Sequence, residues 1–347
     1  MSSVLEVRDL RVSVDGVPAV RGVSFDVRAG EVTALVGESG AGKSLTARAV
    51  LGLAPHDARV SGSVRLAGEE VAGAPPAVYR RLWGRRIGYV PQDALTVLSP
   101  VHPVGGQLAA AVRSVGRVPR AEARRRAVAA LERVGIADAG RRARAYPHEF
   151  SGGMRQRAVI AMALVNSPDL VVADEPTTAL DPRVQAQVLR VLAEAREAVG
   201  AGLLLITHDL AVARSHADRA VVMYAGRVCE AGPADEVFGS PRAPYTAGLV
   251  ASLPGAGFGG GPLPVIGGSP PLASALPAGC AFAPRCPAVG EACGSVEPEL
   301  GFLPHPAPSR KSSDAGRADE PARTVACHRV DALPAAVTDL FTREARV

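Results

Sequence analysis

Eight consecutive residues, Gly37-Glu38-Ser39-Gly40-Ala41-Gly42-Lys43-Ser44, have the composition of a phosphate cradle. Gly37, Gly40 and Gly42 lack side chains where a backbone must close on an anion, and Ser39 and Ala41 complete the loop, so that successive N–H groups can point at phosphate oxygens. Lys43 brings a mobile positive charge to the outer phosphates, and Ser44 brings an oxygen for Mg2+. Lys43 is one of only two lysines in the chain; 37 of the 39 Lys and Arg residues are arginine. A compositional drift that cleared lysine almost everywhere has spared this position.

Two adjacent carboxylates follow the apolar run Leu170–Ala173. Asp174 can hold Mg2+ beside Ser44, directly or through water. Glu175 can then polarise an attacking water, a division of labour that hydrolysis needs because a carboxylate tied up by a metal is a poor base. His208 ends a second apolar run, Leu203–Thr207, where it can contact a γ-phosphate and help hold the water. Gln92 follows Ile87–Val90 and Pro91 and can reach Mg2+ or water as its loop moves. Ser151-Gly152-Gly153-Met154 opens a helix whose first N–H groups can be presented to an anion.

The surrounding pattern supplies the elements that must position these groups. Leu5–Val7 and Arg11–Val14 read as two short strands, joined by a turn at Asp15-Gly16 to a strand over Ala19–Val27. Val32–Val36 is short, β-branched and apolar, which predicts a buried strand ahead of the glycine-rich loop, with a helix over Ser44–Leu53 behind it. Strand-like pieces recur at Gly62–Leu66 and Ile87–Val90. Residues 105–135 are mostly helical, with a stop at Gly135. A helix from Gly152, a strand at Leu170–Ala173, a helix over Val184–Val199 and a strand at Leu203–Thr207 follow. Val221–Tyr224 and Arg227–Glu230 form a hairpin around Ala225-Gly226. Such alternation predicts a mostly parallel sheet covered by helices. Beyond about residue 238 the texture changes, a boundary is expected near residue 235, and the Pro-, Gly- and Ala-rich residues 254–279 and the polar residues 303–323 read as loops.

The bulk properties exclude several classes. A formal charge of +5 with 21% charged residues, its arginines scattered, is not a nucleic-acid signature. The first residues, Met1–Arg8, contain no apolar leader core, and no apolar run approaches the ~20 residues needed to cross a bilayer. The expectation is a cytoplasmic chain that meets a membrane only through a partner. Of five cysteines, none precedes Cys229, and four gather late: Cys280, Cys286, Cys293 and Cys327.

Taken together, these motifs resemble the nucleotide-binding subunit of an ABC transporter: a phosphate loop, Gln92 as the Q-loop, Ser151-Gly152-Gly153-Met154-Arg155-Gln156 as the signature, Asp174-Glu175 as the Walker B pair, Ala179-Leu180-Asp181 as the D-loop and His208 as the switch histidine. The resemblance covers about residues 4–250. It implies a P-loop NTPase fold of the ABC type, with residues 1–238 as the nucleotide-binding domain, a helical subdomain over about 95–150, and residues 239–347 as a small irregular Cys-containing extension. It also implies ATP and Mg2+ as ligands. Two subunits would pack head to tail, the Ser151-Gly152-Gly153 segment of each closing over ATP held by the other. Val14 stands where the family usually stacks an aromatic ring on adenine.

Within the family, Pro244-Tyr245-Thr246, the segment Gly279–Pro287 and Ala326-Cys327-His328 resemble the oligopeptide, dipeptide and nickel importer branch. That branch implies a sister ATPase or second copy, two membrane permeases and an extracytoplasmic binding protein, at the cytoplasmic face of the membrane. Peptide is the expected cargo; nickel or another small solute remains open, as does a soluble ABC ATPase acting on ribosomes or DNA. The branch implies a [4Fe–4S] cluster on Cys280, Cys286, Cys293 and Cys327; zinc or metal-free thiols are the alternatives. Cys229 is read as a small buried residue and His328 as incidental.

Overall fold

The computed structural model describes residues 2–178, 180–253, 264–303 and 323–342. Ala179, the stretch 254–263 of the expected first loop and the stretch 304–322 of the second lie outside the described residues. In chain order the elements are β1 (Ser3–Val14), β2 (Val17–Arg28), β3 (Val32–Val36), α1 (Lys43–Val50), β4 (Arg59–Leu66), β5 (Glu69–Glu70), α2 (Pro76–Leu82) and β6 (Ile87–Val90). Next come α3 (Ala94–Val97), α4 (Val104–Ser114), α5 (Arg120–Arg133), α6 (Ala139–Arg142), α7 (Gly152–Leu164), β7 (Leu170–Asp174), α8 (Pro182–Glu197), β8 (Gly202–Thr207) and α9 (Leu210–His216). The chain closes with β9 (Arg219–Tyr224), β10 (Arg227–Pro233), α10 (Ala234–Gly239), α11 (Pro244–Ala251), β11 (Gly301–Phe302), β12 (Thr324–Val325) and α12 (Asp339–Thr342).

Two sheets result. An antiparallel one has the order β2-β1-β4-β5, and the main one has the order β11-β12-β10-β9-β3-β8-β7-β6. In the main sheet, β6, β7, β8, β3 and β9 run parallel, and β10, β12 and β11 continue it antiparallel. The central strands are buried on both faces, which explains why they read as continuous apolar runs. Their side chains alternate as the pleat requires. Leu35, Val172, Leu204 and Ile206 pack toward the antiparallel sheet and α1, while Val171, Ala173, Leu203 and Leu205 pack toward α7 and α8. Burying each of the Val, Leu and Ile side chains contributes roughly 1.5–3 kcal/mol.

Two local readings are corrected and one is resolved further. The expected pair of strands at Leu5–Val7 and Arg11–Val14 is one 12-residue strand. Its pairings with β2 and β4 shift register between Val7 and Arg11, and Asp9 takes a φ of 46°. A bulge of this kind bends a strand without ending it but interrupts its alternation. The helical stretch 105–135 divides between α4 and α5, where Pro119 caps the second helix. The helix expected from Val184 begins at Pro182, because Asp181 accepts from the N–H groups of Arg183 and Val184 and Pro fits the first turn. Among the described residues no helix is long and apolar enough to cross a membrane.

The tail is built onto the main sheet. Glu230 and Ala231 of β10 pair with Val325 and Thr324 of β12, and β12 pairs with β11. Glu230 is fully buried. Its carboxylate accepts from Arg323 Nε at 3.0 Å, from the Arg242 N–H at 2.9 Å and from the Ala243 N–H at 2.9 Å. A second lock joins Glu297 to Arg21 at 2.7 Å and to Arg227 at 2.8 Å. Removing one partner of a buried ion pair strands the other charge. Arg323→Ala is therefore expected to destabilise the chain by about 3–5 kcal/mol, read as a lower denaturant midpoint with tail and core monitored separately.

Candidate functional site

The loop after β3 closes as its glycines require. Gly37 and Gly42 take φ values of 149° and 96°. A Cβ would lie 2.2 Å from the Met223 carbonyl oxygen at Gly37 and 2.9 Å from that of Ala19 at Gly42, so both positions exclude any larger residue. Gly40 faces open space. Lys43 begins α1 and is buried. Its Nζ donates to the carbonyls of Gly37 at 2.7 Å and Glu38 at 3.0 Å, which holds the ammonium inside the loop that would surround phosphate. Burial pushes the Lys43 pKa down, and Glu175, Asp174 and Glu38 pull it back up. Ser39 is exposed, and the Ala41 carbonyl accepts from Gly226 at 3.1 Å.

Parallel registry brings the next groups to the same end of the sheet. Val36 lies opposite Thr207, and Ile206 opposite Asp174. Ser44 Oγ donates to Asp174 Oδ1 at 2.9 Å. Asp174 is buried, and burial is the leading cause of its raised pKa; Ser44, Arg48 and Lys43 oppose it, while Glu175 adds to it. Hard oxygen donors in this arrangement suit Mg2+.

Glu175 takes a φ of 47°, an uncommon conformation for a side chain of its size. Its Oε2 is the meeting point of the site. Gln92 Nε2 lies 3.3 Å away, Thr178 Oγ1 donates at 2.9 Å, and His208 Nδ1 lies at 3.1 Å. Lys43, Ser44, Gln92, Asp174, Glu175 and His208 are thus brought together. Thr178 was not singled out from sequence; its signal is its place three residues after Glu175, within reach of that carboxylate across one turn.

The signature segment is organised separately. Ser151 Oγ caps α7 by accepting from the Met154 N–H at 3.3 Å. Among the described residues no hydrogen bond or ion pair joins Ser151, Gly152 or Gly153 to the phosphate loop. A Cβ on Gly153 would lie 2.7 Å from Val184 Cγ1, so this glycine lets α7 and α8 pack closely. Val14 ends β1 opposite Val17, on the hairpin whose Ala19 carbonyl borders Gly42.

The late cysteines line one cavity, together with Cys229, Tyr245 and Phe282. Cys280 N–H donates to the Cys293 carbonyl at 2.9 Å. Cys229 is half-buried and its thiol donates to the Val222 carbonyl. His328 Nε2 lies 2.8 Å from the Val296 carbonyl. Among the described residues no group of three or more His, Cys, Asp or Glu side chains is placed to hold a metal ion. The expected four-cysteine ligand shell is therefore not assembled, although the chain folds its four donors around a common space. Burial pushes the thiols of Cys280 and Cys327 up, and that of Cys286 up to about 11.

Comparison with known proteins adds the following. The ABC transporter family profile matches residues 20–178, and the profile of the oligopeptide/dipeptide transporter C-terminal region matches residues 229–293. The oligopeptide transport ATP-binding protein OppD of Mycobacterium tuberculosis is 52% identical over 306 residues, which cover 86% of this chain and 50% of that protein. The chain thus spans about half the length of this curated relative. The dipeptide transport ATP-binding protein DppD of Bacillus subtilis is 43% identical over 304 residues, covering 86% of this chain and 91% of that protein. An ATP-binding cassette solved as a dimer in a post-hydrolysis state with ADP and Pi is 25% identical, with a TM-score of 0.59 over 66% of this chain and 98% of that one.

The raised thiol pKa gives a prediction for metal-free protein. The thiolate is the nucleophile, and below the pKa its fraction rises about tenfold per pH unit. Alkylation of Cys286 by iodoacetamide, followed by peptide mass spectrometry, should be slow at neutral pH and accelerate up to about pH 11. A rate that is flat above neutral pH would contradict the burial argument.

Proposed function

The chain belongs to the ABC transporter family of ATP-binding proteins, and from that premise we propose that it is the ATP-hydrolysing subunit that powers peptide import. The carrying observation for hydrolysis is the convergence of Gln92, Thr178 and His208 on Glu175 Oε2, one residue beyond the Ser44–Asp174 pair. The tail profile over residues 229–293 supports the peptide branch.

Lys43 and the N-terminus of α1 bind the phosphates of ATP. Ser44 and Asp174, with Gln92 in reach, would hold Mg2+, which would supply charge neutralisation at the outer phosphates. Glu175 orients the attacking water and accepts its proton on the carboxylate. His208 holds that carboxylate and the water in line with the γ-phosphate, and Thr178 fixes the Glu175 rotamer. Val14 contacts adenine without the stacking that an aromatic ring would add.

Among the described residues Ser151, Gly152 and Gly153 make no hydrogen bond to the chain's own loop, and Ser151 is engaged in capping α7, which supports their use across a dimer, each signature closing over the partner's ATP. The solved cassette dimer favours the same reading. A groove among α4, α5 and α6, bordered by Gly105, Ala109 and Ala143 with Arg113, Arg124 and Arg144 around it, supports docking of a permease helix on the cytoplasmic face. Two permeases and an extracytoplasmic binding protein complete the proposed importer. The domain reading follows: a nucleotide-binding domain over residues 1–238, its helical subdomain over about 95–150, and the peptide-importer extension over 239–347. For the cysteines, four soft donors around one cavity support a [4Fe–4S] cluster only through donor chemistry, since their present placement forms no ligand group.

Two measurements test this reading. Glu175→Gln removes the base while keeping the side chain's shape. It should lower ATPase activity by about 10²–10⁴-fold and accumulate an ATP-bound dimer on size-exclusion chromatography; normal turnover would sink the role of Glu175. Anaerobic purification of the tagged chain from native membranes should retain two multi-span permeases by mass spectrometry. Iron and sulfide assays on the same sample decide the cluster, and recovery with ribosomal or DNA-repair proteins instead would overturn the importer assignment.

A further inference from the structure

We propose that Arg285, in the C-terminal extension, is a positioning residue for the ATP loop: it grips Glu38 and neutralises a negative charge that would otherwise oppose the nucleotide's phosphates. The proposal rests on the reading of residues 37–44 as the ATP loop.

Glu38 is an awkward residue for its place. The loop concentrates N–H donors and an ammonium group for a polyanion, yet it carries a carboxylate one residue into the turn. The carboxylate is not left to solvent. Arg285 Nη1 lies 2.7 Å from Glu38 Oε2, and Nη2 lies 3.0 Å from Oε1, a bidentate pair across 247 residues of sequence. The Arg285 side chain is only 5% exposed.

The guanidinium is fully committed. Its Nε donates to the Gly267 carbonyl at 2.8 Å, Nη1 also to Tyr224 Oη at 3.2 Å, and Nη2 also to the Ile266 carbonyl at 3.4 Å. With the two bonds to Glu38, all five donors of the fork are used. Tyr224 and Phe282 place their rings beneath it, 5.8 and 5.9 Å from its central carbon. A site this closely built around one arginine does more than cap a surface charge.

Glu38 is held at three points. Besides the carboxylate, its N–H donates to Tyr245 Oη at 2.8 Å, and its carbonyl accepts from Lys43 Nζ and from the Ala41 N–H at 3.2 Å. Tyr245 packs against Tyr224 and Phe282, so the same aromatic group that seats Arg285 also seats the tyrosine that holds the Glu38 backbone. The extension therefore reaches the residue whose carbonyl holds the ATP-binding lysine. Freed from Arg285, Glu38 would place an unpaired charge beside the phosphates and lose its fixed rotamer; both effects weaken ground-state binding rather than the chemical step.

The test uses the purified full-length chain, with ATP affinity from a fluorescent ATP analogue and hydrolysis followed against ATP concentration. Arg285→Ala should raise the ATP Kd and KM roughly tenfold, the loss expected of a charge-assisted pair, with kcat unchanged. Adding Glu38→Gln to that variant should restore most of the affinity, because the stranded charge is then gone. A loss of kcat with KM unmoved, or a double variant no better than Arg285→Ala, would overturn the proposal and leave Arg285 as glue for the tail. Should melting curves show that Arg285→Ala does not fold, Arg285→Gln, which removes the charge but keeps a polar side chain, decides: a several-fold rise in KM that Glu38→Gln reverses supports the role, and no rise overturns it. A wild-type chain that binds no ATP would instead overturn the reading of residues 37–44 as the ATP loop, and the proposal with it.

Discussion

Parallel hydrogen bonding between β3, β8 and β7 is the constraint on which the site depends. Each strand contributes one part of the proposed site: the glycine-rich loop after Val36, His208 after Thr207, and the Asp174-Glu175 pair at the close of β7. Because Val36 faces Thr207 and Ile206 faces Asp174, these ends emerge level with one another. A shift of one residue in any pairing would swap each core side chain to the opposite packed face, where its volume does not fit, and separate Glu175 from His208. The apolar runs that bury these strands on both faces are therefore also what bring acid, base and cation within reach. Stability and chemistry share the same register.

Much of this was legible because the parallel strands are short, apolar and flanked by glycine, proline or charge. The phosphate loop, Asp174, Glu175, Gln92 and His208 were placed by the elements they terminate. Other features were hidden because they depend on contacts remote in sequence. The bulge in β1 follows from pairing with two different strands, and the alternation alone split it at Asp9. The two-residue strands β11 and β12 exist only because β10 offers them an edge. Thr178 was not singled out, because its bond to the Glu175 carboxylate depends on the left-handed backbone at Glu175. The thiols gather around one cavity, yet they do not converge as metal ligands, a distinction that spacing along the chain does not express.

The extension is usefully viewed as part of the nucleotide-binding fold. It adds strands to the main sheet, buries Glu230 under Arg323, and ties β2 and β10 to Glu297. Its aromatic side chains fill the face of β3 and β9 opposite the antiparallel sheet, where Ala34, Val36, Ala220 and Val222 present small apolar surfaces. Small residues on that face leave room for Tyr245 and Phe282, which in turn bring the extension within reach of the phosphate loop. A segment of little regular structure thus depends on the sheet for its order and gives that sheet a covered edge.

The close contact between Gly153 and Val184 bears on how loss-of-function variants of the signature are interpreted. On the proposed reading Gly153 belongs to the segment that meets a neighbour's nucleotide, so damage there invites the conclusion that an intersubunit contact has been severed. Within a single chain, however, any β-carbon at 153 would act as a wedge, prying α7 from α8. α8 carries Gln185, whose amide bonds Asp209, the residue that follows His208. A defect introduced on the signature could therefore travel through the interior and disturb the hydrolytic end of its own subunit, a cis lesion masquerading as a trans one.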